Sequence, residues 1–338
     1  MLATLGLAGL TGCAAEPDRE APQPSAGQRG VLEPAAAHTE LVAFDVTAHG
    51  TDALTEVIRT LGAPAAGVTT TVAVGASLFD GRFDLERPRG LTLMPSFRND
   101  VLDPRWCHGD LLVQASAATR GPIDATFART VSGVTTRWRI AGFHPSGSRN
   151  LFGFREGSGN PDPADVELMD RHVWVQTGDD EPTWCAGGTY QVVRLIRLAT
   201  PTWDDEPTEV QERVFGRHKD TNAPLGHSTE HAEPDYTDDP HGRLIPLDAH
   251  IRRANPRTPD SQAHRILRRS HSFRDESGSG QIFTCFQRDI ERGFATVQKR
   301  LAGEALERYL LPFGGGYYFV LPDTTTPGAD RIGRRAHG

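Results

Sequence analysis

The sequence predicts an α+β protein built on antiparallel sheets. Several segments of strand length alternate apolar and polar residues, which is the pattern of half-buried strands. Segments with helical spacing lie among them, but helices and strands do not follow one another in a regular βαβ repeat. The elements of the second half roughly repeat the order of the first, and 338 residues favour two domains over one. We expect the two domains to divide near residue 200.

In the first half, residues 40–46 (ELVAFDV) alternate like a strand, and residues 51–62 change to helical spacing. Thr51 is placed to cap this helix and Gly62 to end it, and Leu54, Val57, Ile58 and Leu61 form its apolar face. Further elements follow the same patterns: strands at 69–79, 110–117, 171–178 and 189–200, and a helix near 122–130.

The second half begins with a predicted helix near residues 207–216. Residues 217–243 are rich in His, Asp, Gly and Pro, which predicts a long surface loop. The remaining elements are strands at 265–273, 280–289 and 314–322 and a long helix over about 289–310.

Composition narrows the class of function. Because 44 acidic residues outnumber 36 basic ones, for a formal charge of −8, the chain has no general attraction to nucleic acid. Histidines number 13 and cysteines 4, so imidazole is the expected ligand if a metal or metallo-cofactor is bound.

The first 39 residues are typical of an export leader followed by a disordered linker. An apolar run of about ten residues is too short to span a bilayer and fits the core of a secretory signal. Residues 10–13 (LTGC) have the form of a bacterial lipobox, in which Cys13 becomes a lipid anchor. We therefore expect an exported protein, either anchored or free, and the alternative is a disordered tail. Without Cys13, the cysteines at 107, 185 and 285 permit at most one disulfide.

The stretch GFREGSGNP (residues 153–161) is the first candidate for chemistry. Gly153 and Gly157 allow backbone angles that other residues avoid, so this loop can approach a flat ligand and aim Glu156 at it. A carboxylate held in this way can move protons. The alternative is a plain turn with an exposed glutamate.

His250 and a later group of arginines are the second candidate. His250 stands between an apolar and an Arg-rich segment, although a lone histidine is more often structural. Strand alternation sends Arg268 and Arg269 to opposite faces, and such residues are usually solvated. His108 and His271 are expected to be structural, and the histidines of the polar stretch, at 218, 227, 231 and 241, have a surface metal patch as their alternative role.

Seven motifs together resemble the dye-decolourising (DyP-type) peroxidases, and most of all their exported subgroup, which includes the deferrochelatase/peroxidase of bacterial iron uptake. They occur between residues 40 and 322 in the family's order: CHGDLLVQ, FGFREGSGNP, GGTYQVVRLIR, FGRHKDTNAPLG, DAHIRRANPR, ILRRSHSF and GFATVQKRLAGEALERYLLPFGGGYYFVLP. The resemblance implies two ferredoxin-like domains, residues 40–200 and 201–330, with haem b between the sheet and helices of the second.

The same resemblance implies roles for single residues. His250 matches the axial ligand of the haem iron, Arg268 the distal arginine, and Arg217 an arginine that contacts a haem propionate. Glu156 stands where the family has aspartate, and Gly157 follows it in the cofactor-binding loop. A carboxylate should lie behind His250, since such partners orient metal-bound histidines, and we expect Asp289 or Glu307.

These roles imply an enzyme that reduces hydrogen peroxide and oxidises organic donors such as dyes or phenols through a ferryl intermediate. Arg268 would stabilise negative charge on the departing oxygen, and Glu156 would move the proton. Because glutamate is one methylene longer than aspartate, the alternative is a protein that binds haem but turns over weakly. It would then serve iron uptake as a deferrochelatase-like protein with iron-uptake partners. A third reading is a fold that has lost haem. An oligomeric assembly is compatible with each of these alternatives.

Overall fold

The structure is a computed structural model that describes residues 29–145, 149–322 and 332. Most of the expected leader, including Cys13, lies outside the described residues. Residues 29–39, which the sequence analysis assigns to the linker, include the short helix α1 (Arg29–Leu32), whose Val31 is fully buried. The folded part of the chain therefore includes residues assigned to that linker.

The first structural unit is a four-stranded antiparallel sheet with two helices. Its elements are β1 (His38–Val46), α2 (Thr51–Leu61), β2 (Thr69–Gly75), β3 (Leu111–Ala117), α3 (Arg120–Phe127) and β4 (Val134–Phe143). The strand order β2-β3-β1-β4 is that of a ferredoxin-like unit. All of these elements except β4 are predicted from the sequence, although β2 ends at Gly75 and Gly50, not Thr51, occupies the helix cap.

The missing strand, β4, has a clear alternation that the sequence analysis does not use. Trp138 and Ile140 are buried, whereas Arg137 and Arg139 are exposed. This is the burial pattern of a strand with one solvated face.

The remaining elements build a second unit of the same kind. They are α4 (Val166–His172), β5 (Thr189–Leu198), α5 (Thr200–Asp204), α6 (Thr208–Phe215), α7 (His250–Ala254), β6 (Leu267–Arg268), β7 (His271–Asp275), β8 (Gly278–Gln287), α8 (Thr296–Leu301) and β9 (Leu310–Val320). The order β7-β8-β5-β9 corresponds strand by strand to the order β2-β3-β1-β4 of the first unit. Because β5 pairs with both β8 and β9, it belongs to the second unit, whereas a division near residue 200 would place it in the first.

The two units join edge to edge into one closed sheet. β2 pairs with β9, β4 pairs with β7, and the pairing of β5 with β8 completes a ring of eight antiparallel strands. β6 pairs with β8 beyond the end of β7. The predicted antiparallel α+β class is confirmed.

At β1 both faces of the sheet are buried, which explains the nearly continuous apolar run of this strand. Val42 and Phe44 pack in the same cluster as Leu54 of α2, while Leu41 and Ala43 pack in a second cluster on the other face. Burial of such side chains contributes about 1.5–3 kcal/mol each, so most of the stability lies in these two layers.

A third cluster, mostly aromatic, supports residues 149–161, which we call the glycine loop. Phe152 packs on Trp203 with ring centroids 4.6 Å apart, and Phe154 stacks on Phe215 at 3.9 Å. The Trp203 indole also donates to the Phe152 carbonyl at 3.1 Å. The loop is thus anchored through its own side chains.

The strand predicted at residues 171–178 is wrong. The end of helix α4 occupies its start, and Asp165 caps that helix by accepting the Leu168 amide at 3.0 Å. Val173, Trp174 and Val175 are all buried, so this apolar run reflects burial of an irregular segment and not a pleat.

The long helix predicted over residues 289–310 is also wrong. A π-helical turn (Glu291–Ala295) leads into α8, which ends at Leu301. Gly303 then adopts a left-handed backbone with φ of 77°, and residues 307–309 form a separate 3₁₀ turn. This break matters because Glu304, which follows it, contacts His250.

The described cysteines, at positions 107, 185 and 285, are free and buried, in agreement with a fold that does not depend on disulfides. Within the described ranges, none of the helices combines the length and apolarity needed to cross a bilayer.

Candidate active site

His250 is the first residue of α7, and a buried carboxylate holds its ring. Its Nδ1 atom lies 2.7 Å from Oε2 of Glu304, whose side chain is only 4% exposed. Because an ionised carboxylate can only accept, the proton resides on Nδ1 and the lone pair on Nε2 is left for a metal.

The partner of His250 is therefore Glu304, and neither Asp289 nor Glu307 takes that position. The Glu307 carboxylate accepts the amide of Gly303 at 2.8 Å, and Asp289 accepts the amide of Arg292 at 2.8 Å. A continuous helix would have placed residues 304 and 307 on one face, but α8 ends at Leu301 and residues 307–309 form a separate 3₁₀ turn, so the two carboxylates have different partners.

The glycine loop presents Glu156 in a defined geometry. Gly153 and Gly157 both have left-handed backbones, with φ of 90° and 85°, as their spacing predicts. Oε1 of Glu156 accepts from the side-chain amides of Asn150 at 2.8 Å and Gln281 at 3.2 Å. Glu156 is half-buried, so the alternative of a plain turn with an exposed glutamate is wrong.

Glu156 also acts on a neighbouring histidine. Burial lowers the pKa of His144, at the end of β4, and the negative charge of Glu156 offsets part of that shift. The loop therefore places an acidic group close enough to influence its surroundings electrostatically.

Arg268 is joined to the glycine loop by Asn160. Oδ1 of Asn160 accepts from the backbone amide of Arg268 at 3.1 Å and from its Nε at 3.2 Å. The Asn160 amide donates back to the Arg268 carbonyl at 2.9 Å. A Cβ built on Gly159 would lie 3.6 Å from Nη2 of Arg268, so the guanidinium lies against the loop that carries Glu156.

Residues 217–243, which we call the polar loop, contact the glycine loop through Glu230. Nη1 of Arg217 donates to the carbonyls of Asn222 at 2.6 Å and Glu230 at 2.9 Å. The Glu230 carboxylate in turn binds Arg155 at 2.7 Å and Ser158 at 2.8 Å on the glycine loop. The backbone of residues 217–243 is irregular, as predicted for a surface loop, but Arg217 and Asn222 are buried.

The arginines of the site are only partly neutralised. Burial lowers the pKa of Arg217 to about 10, and repulsion from Arg268 adds to this shift. Burial likewise lowers the pKa of Arg265, with Arg257 contributing. An anionic ligand would relieve this excess of positive charge.

These residues fit haem. The unsubstituted Nε2 of His250 suits the iron, and the buried guanidinium of Arg217 suits a propionate carboxylate.

Other singled-out residues support the fold. Arg269 donates to the carbonyls of Leu32 and Glu33 at the end of α1, and its burial lowers its pKa to about 10. His271 contacts the Ala36 carbonyl through Nε2 at 3.0 Å, and the His108 carbonyl accepts the indole of Trp138 at 2.8 Å. The predicted structural roles of these two histidines agree with these contacts.

The polar-loop histidines do not form a metal patch in the described part of the chain, where no group of three or more His, Cys, Asp or Glu residues could hold a metal ion. His218 instead lies 3.2 Å from Glu212 of α6 through Nδ1.

Sequence reasoning missed four residues of the site: Asn150, Asn160, Gln281 and Glu304. Only Asn160 carries a local signal, because it precedes a proline at the end of the glycine-rich stretch that contains Glu156. Gln281 and Glu304 reach their partners across 125 and 54 residues of sequence, which no local pattern reports.

The fold and the donor set define a haem-binding α+β enzyme. Two family models match the chain: Dyp-type peroxidase, N-terminal, over residues 28–144, and Dyp-type peroxidase, C-terminal, over residues 147–325. The chain therefore belongs to the Dyp-type peroxidase family.

Similar proteins agree with this assignment. The chain is 41% identical over 347 aligned positions to the deferrochelatase of Escherichia coli (strain K12). The alignment covers 87% of this chain and 82% of that relative. A DyP-type peroxidase structure from Cellulomonas bogoriensis matches with a TM-score of 0.79 and 30% identity, covering 94% of this chain and 99% of the other. Ferric DtpA from Streptomyces lividans matches with a TM-score of 0.79 and 30% identity, covering 93% and 97%.

The chain is accordingly a peroxidase that uses haem. Its substrates are hydrogen peroxide and an organic electron donor.

Proposed function

We propose that His250, Arg217, Arg268, Glu156 and Gly157 form the active site of this peroxidase. His250 would hold the iron through Nε2, and Arg217 would bind a propionate. Gly157 lets the backbone turn without a side chain beside the cofactor. The observation that carries the proposal is the contact of 2.7 Å between Nδ1 of His250 and Glu304, because it leaves Nε2 with a free lone pair.

Bound haem supplies the redox chemistry, in which peroxide accepts two electrons that organic donors later replace. The residues of the chain handle protons and charge. Glu156 would accept a proton from one oxygen of the peroxide and return it to the other oxygen, which leaves as water. Arg268 remains cationic and stabilises negative charge on the departing oxygen.

The overall reaction balances with two donor molecules. Each donor, such as a phenol or a dye, gives one electron and one proton, so that one peroxide yields two waters. The two donor radicals leave the site.

Stopped-flow absorption of the haem-loaded protein mixed with hydrogen peroxide tests these roles. Glu156→Gln and Arg268→Leu should each lower the second-order rate constant by roughly 100-fold or more, since each removes one acid–base or charge-stabilising group. Glu209→Gln, on the exposed face of α6, is the matched control. If both active-site variants react like the control, the assignment of these two residues fails.

A second function has support from the curated relatives, which are named deferrochelatases. In that role the chain would take iron from haem: two protons would replace ferric iron in the porphyrin, with no net redox change, and iron-uptake partners would receive the iron. The test is incubation of the haem-loaded protein at mildly acidic pH with an iron chelator. Porphyrin fluorescence that grows without loss of total porphyrin would support this function, and an unchanged haem spectrum would exclude it.

We further propose export, with Cys13 as a lipid anchor. The support is the apolar run followed by the Leu10–Cys13 lipobox. Cys13→Ser should release the protein from the membrane fraction of an expressing bacterium. Equal distribution of both forms would rule out the anchor.

A further inference from the structure

The side chain of Glu156 is held by two amides from different parts of the fold. Asn150 donates to Oε1 at 2.8 Å from within the glycine loop, and Gln281 donates to the same oxygen at 3.2 Å from β8. Both contacts are N–H donors to a carboxylate oxygen. Neither of them binds Oε2, which leaves that oxygen for proton transfer.

The amide of Asn150 has only one way to point. Its Oδ1 accepts the backbone amides of Phe152 at 3.0 Å and Phe154 at 3.2 Å. With the oxygen used in this way, the Nδ2 group is directed at Glu156. The aromatic anchors of the loop therefore also orient the donor.

Gln281 is fixed by its strand. In β8 it pairs with Ile196 of β5 on one side and with Ser272 of β7 on the other. A residue between two paired strands has little freedom in its backbone, so its amide reaches Glu156 from a rigid position.

The length of the acidic side chain decides whether these two bonds form. Aspartate would withdraw the carboxylate by about 1.5 Å, the length of one carbon–carbon bond. A bond of 3.2 Å extended by most of that distance is no longer a hydrogen bond. The two amides thus match glutamate and not aspartate.

We infer that Asn150 and Gln281 are positioning residues. Their two amides require glutamate, and not aspartate, at position 156 for the peroxidase reaction to run at its full rate. They hold Oε1 and thereby aim Oε2 at the peroxide. Glutamate at this position then does not make the enzyme slower than aspartate would, and the substitution Glu156→Asp slows the reaction. This inference rests on the proposed role of Glu156 in proton transfer.

A double-mutant cycle tests the inference on the haem-loaded protein with Glu156→Asp, Gln281→Leu and both together. The measurements are the rate constant with hydrogen peroxide and the association rate of cyanide, which must also give up a proton to bind as an anion. Glu156→Asp should lower both rates about tenfold, and Gln281→Leu about fivefold. In the Gln281→Leu background, the change to aspartate should cost less than twofold, because one of the bonds that it breaks is already gone.

Haem affinity and the KM for the organic donor separate positioning from general structural damage. Both should stay within twofold of wild type in Gln281→Leu, since only Glu156 loses a partner. Gln262→Leu, at an exposed position, controls for the introduction of leucine. If Gln281→Leu does not fold, Gln281→Met replaces it, because it keeps an unbranched chain of similar length.

The outcomes are distinct. A Glu156→Asp enzyme as fast as wild type, or strictly additive effects in the cycle, overturns the inference. So does a Gln281 variant that reacts at the wild-type rate while Glu156→Gln is slow, and in that case the proposed role of Glu156 survives. If Glu156→Gln itself reacts at the wild-type rate, the proposed proton role fails and this inference fails with it.

Discussion

Replacing Glu304 by glutamine should weaken haem binding about tenfold. The change keeps the size of the side chain and an oxygen acceptor for Nδ1 of His250, so the contact of 2.7 Å can persist, but the negative charge is lost. A hydrogen bond to a charged partner is stronger than a neutral one by roughly 1–1.5 kcal/mol, which corresponds to about tenfold in affinity. Because Glu304 is 4% exposed, solvent screens little of this difference.

The assay is transfer of haem from each variant to an excess of a haem-scavenging protein, followed by absorption. Glu307→Gln is the control, because it is the same substitution three residues away at a carboxylate that binds Gly303 and lies 3.6 Å from the exposed Arg98. We expect the control to lose haem less than twofold faster than wild type. Equal loss from both variants, or faster loss from Glu307→Gln, would refute the assignment of Glu304 as the partner of His250.

Three further outcomes are expected. Arg217→Leu should weaken haem binding by at least tenfold in the same transfer assay, whereas a wild-type affinity would argue against a propionate contact. Asn160→Ala should slow the reaction with peroxide while leaving haem affinity near wild type, because it frees Arg268 from the glycine loop; unchanged rates would contradict this. Burial lowers the pKa of His271 to about 3, so its contribution to stability is complete above pH 6.5 and is lost as the pH falls toward 3. About 2 kcal/mol should be lost by pH 5, and His271→Gln should flatten the stability profile measured by denaturant titration.

The parts of the fold that were predictable are those with local periodicity. The helix over residues 51–61 and the strands β1, β3, β5 and β8 follow apolar spacing that a single sequence reports. The prediction of a strand at 171–178 is wrong because Val173, Trp174 and Val175 are buried one after another. Complete burial removes the alternation that distinguishes a strand.

The proposed site has a different basis. The roles of His250, Glu156, Arg268 and Arg217 come from a family resemblance and not from spacing alone, and they stay predictions. Their supporting residues could not be reached in either way. Glu304 follows the end of helical spacing, where Gly303 has a left-handed backbone, and a local pattern does not reveal which of several nearby acids contacts His250.

The polar contacts of Glu230 connect the residue proposed to bind haem with the loop proposed to handle the peroxide proton. The backbone carbonyl of Glu230 holds Arg217, while its carboxylate binds Arg155 and Ser158 on either side of Glu156. A shift of this one residue would therefore move the proposed propionate contact and the loop that carries the proton-handling acid together. Binding of haem through Arg217 would, by the same contacts, stabilise the loop in the conformation that aims Glu156, so that cofactor binding and assembly of the catalytic geometry are thermodynamically linked.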